Sequence, residues 1–264
     1  MNKTKIDWCD RSWNPITGCL HDCPYCYARG IARRFGGASE TTNDENGMEC
    51  HWSAEATGKV HVLDEPLYDP DRSRKAPYPY GFDPTLHRYK LDWPQRIQQP
   101  QTIFVGSMAD VFGEWVPDEW IKAVFEACAA APWHRYLFLT KNPARYASII
   151  DIIARVNAEI WLGSTVTSQN DDPLTDAKFW PTFVSVEPIT ENVMLEEFAG
   201  NLPNWVIVGA ETGNRRDKVI PKREWVEDIL TSCRLAKVPV FMKNNLADIW
   251  GAPLVQEFPW EVRA

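Results

Sequence analysis

The chain has 264 residues, an apolar fraction of 44% and a formal charge of −8. It is long enough to bury a substantial core, and too acidic for a broad basic surface that would follow a nucleic-acid backbone. No apolar run approaches the roughly 20 residues of a membrane-spanning helix, and Met1 to Asp10 lacks a signal-peptide segment; the expectation is a cytoplasmic protein with no membrane partner and no extended nucleic-acid partner.

In chain order, Trp13–Thr17 reads as a first strand, followed by a cysteine-rich loop and a helix over Tyr27–Phe35. An eightfold barrel uses about 250 residues, or roughly 31 per βα unit, so a second strand is due near residue 45. The next strand-like run starts only at Thr102. Residues 36–101, rich in Pro, Tyr, Gly and charge, are therefore read as an insertion after the first βα unit, either a lid or flap or a surface excursion.

From there, short apolar runs at Thr102–Gly106, Tyr136–Thr140, Ile160–Thr165, Phe183–Glu187, Trp205–Gly209 and Val238–Met242 predict parallel strands. Amphipathic segments at Glu119–Ala131, Ala144–Val156 and Lys222–Ala236 predict helices between some of them. Right-handed crossovers then give an α/β fold, a partial (β/α)6 barrel of parallel strands in one domain over 1–264. A flat doubly wound sheet competes with it. Both architectures place ligands beyond the carboxyl ends of the strands.

Seven cysteines, three of them within eight positions, point to metal rather than disulfides. Cys19, Cys23 and Cys26 form C-x3-C-x2-C directly after the first predicted strand. A cubane iron–sulfur cluster normally takes four thiolates, so three leave one iron open for a ligand. Zinc is the alternative, with His21, His51 or Cys50 as a fourth ligand. Cys9 and Cys50 are scattered, and Cys128 and Cys233 fall on predicted helices as core residues.

The motif, with aromatic Tyr25 just before Cys26, resembles the signature of the radical S-adenosylmethionine superfamily. The wider chain is similar to an uncharacterised phage-associated family of that type through Trp13-Asn14-Pro15, Cys26-Tyr27-Ala28, Phe104 to Asp110, Leu139-Thr140-Lys141, Ser185-Val186-Glu187-Pro188 and Val206 to Gly213. The resemblance implies a [4Fe–4S] cluster that binds S-adenosylmethionine and reductively cleaves it to a 5′-deoxyadenosyl radical. The radical would abstract hydrogen from a small or nucleotide-like substrate, in phage nucleoside or DNA-base modification. An electron donor such as flavodoxin or ferredoxin is implied as well.

Gly106 to Asp110 matches the superfamily's glycine-rich acidic motif without its second glycine and glutamate, which makes Ser107 and Asp110 candidates for the methionyl amino group; Asp110 could instead cap the following loop. Lys141, at a strand end, could meet the cofactor carboxylate. Thr165 and Thr167 could touch ribose, and Glu187 and Glu211 could bind ribose, the methionyl group or substrate. Lys243, Asn244 and Asn245 are candidates for substrate contacts. Trp8, Trp13 and Asn14 either shield the site or pack beneath the first strand. Arg29, Arg33, Arg34, Arg72, Arg74 and Lys75 either contact phosphate or form solvated faces. Two other functions compete, a zinc-stabilised binding module and a redox cluster protein without S-adenosylmethionine chemistry.

Overall fold

A computed structural model describes residues 2–35, 42–43, 49–50, 58–68, 75–198, 202–213 and 215–261. His51, Arg72 and Arg74 lie outside them, as does much of the expected insertion.

The chain opens with β1 (Asn2–Lys3), β2 (Arg11–Trp13) and β3 (Ile16–Thr17), then α1 (Tyr27–Phe35). The insertion contributes four short strands, β4 (Thr42–Asn43), β5 (Glu49–Cys50), β6 (His61–Leu63) and β7 (Thr85–His87). The remainder follows as β8 (Thr102–Val105), α2 (Asp118–Ala129), β9 (Arg135–Thr140), α3 (Arg145–Ser148), α4 (Ile150–Ile153), β10 (Glu159–Val166), β11 (Thr182–Val186), β12 (Trp205–Val208), α5 (Arg223–Leu235), β13 (Val240–Met242) and α6 (Ala247–Trp250). The main sheet runs β1-β2-β8-β9-β10-β11-β12-β13. Its seven strands from β2 onward are parallel and curl into a half-barrel, so the expected α/β partial barrel is the architecture. Each successive strand joins the sheet beside its predecessor in sequence, as short right-handed connections favour.

Three local expectations need correction. The barrel strand expected at Trp13–Thr17 is Arg11–Trp13. Pro15 has no N–H to give to a ladder, so the chain leaves the sheet there. Ile16–Thr17 pairs instead with Thr85–His87 of the insertion, in a small sheet ordered β3-β7-β6. The single helix expected over Ala144–Val156 is two short pieces that break at Ile149. Four isoleucines in five positions make a poor helix, and the segment is held instead by buried Ile149, Ile153 and Tyr146, whose hydroxyl donates to Gly163 O. The crossovers from β10 to β11 and from β11 to β12 contain no α-helix among the described residues, only a 3₁₀ turn at Leu195–Glu197.

Period-two alternation sorts the strand residues between two faces. Outward residues such as Val105, Phe138 and Leu162 pack against α2. Val184, Val206 and Val240 pack against α5. Cys128 and Cys233 lie fully buried in these two helix-side layers. On the opposite, concave face, Phe104, Leu137, Trp161, Phe183, Trp205, Ile207 and Phe241 form an aromatic plug with Trp8. Following that same face toward the strand ends, Phe183 is succeeded by Ser185 and Glu187, Ile207 by Gly209 and Glu211, and Phe241 by Lys243. The barrel is thus filled at its base and polar at its mouth.

Candidate functional site

The cysteine loop is built onto the insertion. Gly18 takes φ 87°, and a Cβ there would stand 2.1 Å from Asp83 O. Only glycine permits that approach. Gly18 N donates to Met108 O at 2.9 Å and Cys19 N to Phe82 O at 3.1 Å. After a turn closed by Cys26 N to Cys23 O, α1 begins, and Cys26 Sγ accepts the Arg29 amide at 3.4 Å. Ala28 and Ala32 of α1 pack against Phe82 and Met108. The Phe82–Asp83 stretch of the insertion therefore lies directly beside the loop.

Ten of the residues singled out by sequence for metal and cofactor contacts line one cavity of about 170 Å³ at the mouth of the half-barrel. These are Cys19, Cys23, Tyr25 and Cys26 from the loop, Ser107, Asp110, Lys141, Glu187 and Glu211 from beyond the ends of β8, β9, β11 and β12, and Thr165 from the penultimate position of β10. Phe82, Phe104 and Leu139 give it apolar walls.

Asp110 is bound on every side. Oδ1 accepts from Phe112 N (3.0 Å) and Thr140 Oγ1 (2.7 Å), and Oδ2 accepts from Lys141 N (2.9 Å) and meets His21 Nε2 (2.8 Å). These contacts use the roughly four acceptor sites of a carboxylate. Asp110 therefore caps its own loop and anchors the cysteine loop through His21, whose ring also stands edge-on to Trp115 at 4.8 Å. Ser107 exchanges hydrogen bonds with Asn14, while its carbonyl accepts the Tyr27 hydroxyl at 2.5 Å. Lys141 Nζ donates to Tyr25 Oη at 3.0 Å, which holds an ammonium at the cavity wall without any ion pair to a described carboxylate.

Two further acids carry cationic partners. Glu187 pairs with Lys243 across the strand ends, and Glu211 receives both arms of Arg215, each at 2.7 Å. Hydrogen bonding from Arg215 holds the Glu211 carboxyl below the usual range. Gly209 sits under the first pair, where a Cβ would come within 2.8 Å of Lys243 Cδ and 3.3 Å of Glu187 Cδ. Of the other expected contacts, Thr167 closes a local turn with Asp171. Asn245 clamps both backbone groups of Ala210, and Asn244 N donates to Asp7. Trp8 belongs to the aromatic plug and Trp13 to the helix-side core.

Burial pushes the Cys19 thiol up to about 12 and also raises Cys23, against the pull of Lys141. The three sulfurs face one cavity, yet among the described residues no three His, Cys, Asp or Glu side chains are drawn into a metal-holding group. By donor chemistry the set suits iron and sulfide, which cysteine thiolates hold. Of the three fourth ligands open to zinc, His21 spends Nε2 on Asp110, while His51 and the Cys50 side chain lie outside the described residues.

A family model matches residues 3–252, under the description protein of unknown function (DUF5131). The chain belongs to the DUF5131 family. No curated protein matches it. Two solved structures align with this DUF5131 chain, both single-residue variants of spore photoproduct lyase; each is 10% identical, with a TM-score of 0.41, over 85% of this chain and 86% of that chain.

Sequence reasoning passed over several residues of the site. His21 was weighed only as a zinc ligand, although it joins loop to barrel. Ser185 is 1% exposed, lines the cavity, and its Oγ has no hydrogen-bond partner among the described residues. The signal for it was present, since it stands two residues before Glu187 on the same strand face. Arg215 had no such signal because it lies in an irregular loop.

Proposed function

We propose that this chain is a radical S-adenosylmethionine enzyme acting on a small or nucleotide-like substrate. The observation that carries the reading is the convergence of three loop cysteines, the loop's Tyr25 and six side chains at the strand ends on one cavity. Cys19, Cys23 and Cys26 would hold a [4Fe–4S] cluster with one iron left for the cofactor. When bound, that cluster supplies the electron for reductive cleavage of S-adenosylmethionine to methionine and a 5′-deoxyadenosyl radical that takes hydrogen from the substrate.

The chain's own residues supply binding and enclosure. Lys141, steadied by Tyr25, offers a point charge to the cofactor carboxylate. Glu187 and Glu211 offer acceptors to ammonium and ribose hydroxyl groups, each oriented by its cationic partner. Thr165 and the Ser185 hydroxyl, which has no partner among the described residues, offer further polar contacts, since a buried hydroxyl gains most when a ligand satisfies it. Phe82, Phe104 and Leu139 keep water from the reacting atoms. Asp110 acts as a positioning residue, through His21 and the Lys141 amide. The electron would come from a flavodoxin or ferredoxin, and phage nucleoside or DNA-base modification is the substrate context that the motif resemblance favours.

The test is anaerobic reconstitution with iron and sulfide, then reduction with S-adenosylmethionine and detection of 5′-deoxyadenosine by mass spectrometry. The expected result is a cubane spectrum and product formation, both lost in Cys23→Ala. Zinc without cleavage would replace this reading with a binding module, and a cluster that never cleaves the cofactor would replace it with a redox protein.

A further inference from the structure

A second cleft of about 410 Å³ adjoins the first. The two share a wall made by Tyr25, Cys26, Tyr27, Glu211 and Thr212. On its far side the cleft is bordered by Gly30 and Arg34 of α1 and by Gly213 and Arg215 of the loop after β12. Three of its lining residues are charged, and two of them neutralise one another, since Arg215 and Glu211 form a two-armed pair. Arg34 is the third. It is exposed and makes no hydrogen bond or ion pair to any described residue. A Cβ on Gly30 or on Gly213 would meet nothing within 4 Å. The cleft is therefore open at both glycines, and among its described lining residues the one charge without a partner is the Arg34 guanidinium, in a protein whose net charge is −8.

We propose that this cleft holds the phosphate of a phosphorylated nucleoside while the part of the substrate to be modified reaches the first cavity past Tyr27. The proposal rests on the enzyme reading given above and narrows its substrate class. A planar guanidinium matches a phosphate through paired N–H donors. Gly213, with φ 89°, leaves room for a bulky oxyanion beside the backbone. Tyr27, 48% exposed at the junction of the two spaces, presents an aromatic ring beside the path, the kind of surface on which a base stacks. The volume lies within the range of small-molecule sites.

The test is calorimetric titration of the full chain, cluster-free and cluster-loaded, with inorganic pyrophosphate, a nucleoside monophosphate, the matching nucleoside and a short single-stranded oligonucleotide. The monophosphate should bind at least about tenfold more tightly than the nucleoside, the gain expected of a charge-assisted contact. Arg34→Gln should abolish that preference, Arg34→Lys should retain part of it, and Arg33→Gln, on the same helix but outside the cleft, should leave it intact. Gly30→Gln extends into the cleft from a position where a Cβ meets nothing within 4 Å, and should block pyrophosphate without unfolding α1. Tighter binding of the oligonucleotide than of the monophosphate would identify the phosphate as part of a strand, and the reverse would identify a free nucleotide. Equal affinity for nucleoside and monophosphate, or an Arg33→Gln loss as large as that of Arg34→Gln, overturns the proposal. Binding is read without turnover, so the two readings fail separately: phosphate preference without cofactor cleavage removes the enzyme reading, and cleavage without phosphate preference removes the cleft.

Discussion

At the scale of single residues, the site is organised by side chains that serve other side chains. Asp110 illustrates the difference between lining a cavity and being free to bind in it, because all of its acceptor capacity is spent inside the protein. Asp110→Ala would strand two backbone N–H groups and a buried hydroxyl, at a cost of about 2–4 kcal/mol, measured as a shift in urea unfolding; the released cysteine loop should also take up less iron. Glu211 gives a pH-dependent prediction. Its carboxyl titrates below the ordinary value because of Arg215, so the pair's contribution is complete above the unfolded-state pKa and is lost as pH falls through the folded one. The stability difference between the native chain and Arg215→Gln should therefore be largest near neutrality and vanish in acid, by parallel urea titrations.

At the scale of elements, Gly18 decides how closely the cysteine loop approaches the insertion. Gly18→Ala combines a left-handed backbone, costing about 1–2 kcal/mol for a residue with a Cβ, with a contact on the Asp83 carbonyl that no side-chain rotation relieves. Iron loading should fall sharply in this variant while far-ultraviolet dichroism stays near native. The strands from β8 to β13 were legible because apolar runs between turn residues leave few other readings, and period two then put Glu187, Glu211 and Lys243 on the concave face. The first strand was misplaced by two residues at its start because the apolar run Trp13 to Thr17 hides the missing N–H of Pro15. The β3-β7-β6 sheet was invisible, since strands of two or three residues carry almost no periodicity of their own. Ion pairs such as Glu187 with Lys243 join residues far apart in sequence, and no local pattern announces them.

At the scale of the whole molecule, the half-barrel is stabilised from within by tilted and edge-on rings. Trp205 is fully buried and touches Trp8, Trp161, Phe183, Phe241, Phe258 and Trp260. Trp205→Ala should cost about 3–5 kcal/mol, seen as a lower thermal midpoint. The described residues include no helix long and apolar enough to cross a membrane. The sheet order, in which every strand from β9 to β13 lies beside the one made just before it, bears on how the protein is born. That run can lengthen strand by strand as synthesis proceeds, because none of its strands waits for a late neighbour, whereas β2 waits for β8. The cysteine loop obeys a different timetable. Its supports arrive at Phe82, Asp110 and Lys141, and the rim closes only when Lys243 reaches Glu187. Stalled nascent chains ending near residue 200 should already resist protease across β8 to β10 while their cysteines still react with a thiol reagent, so that cluster delivery is confined to the last stage of the protein's making.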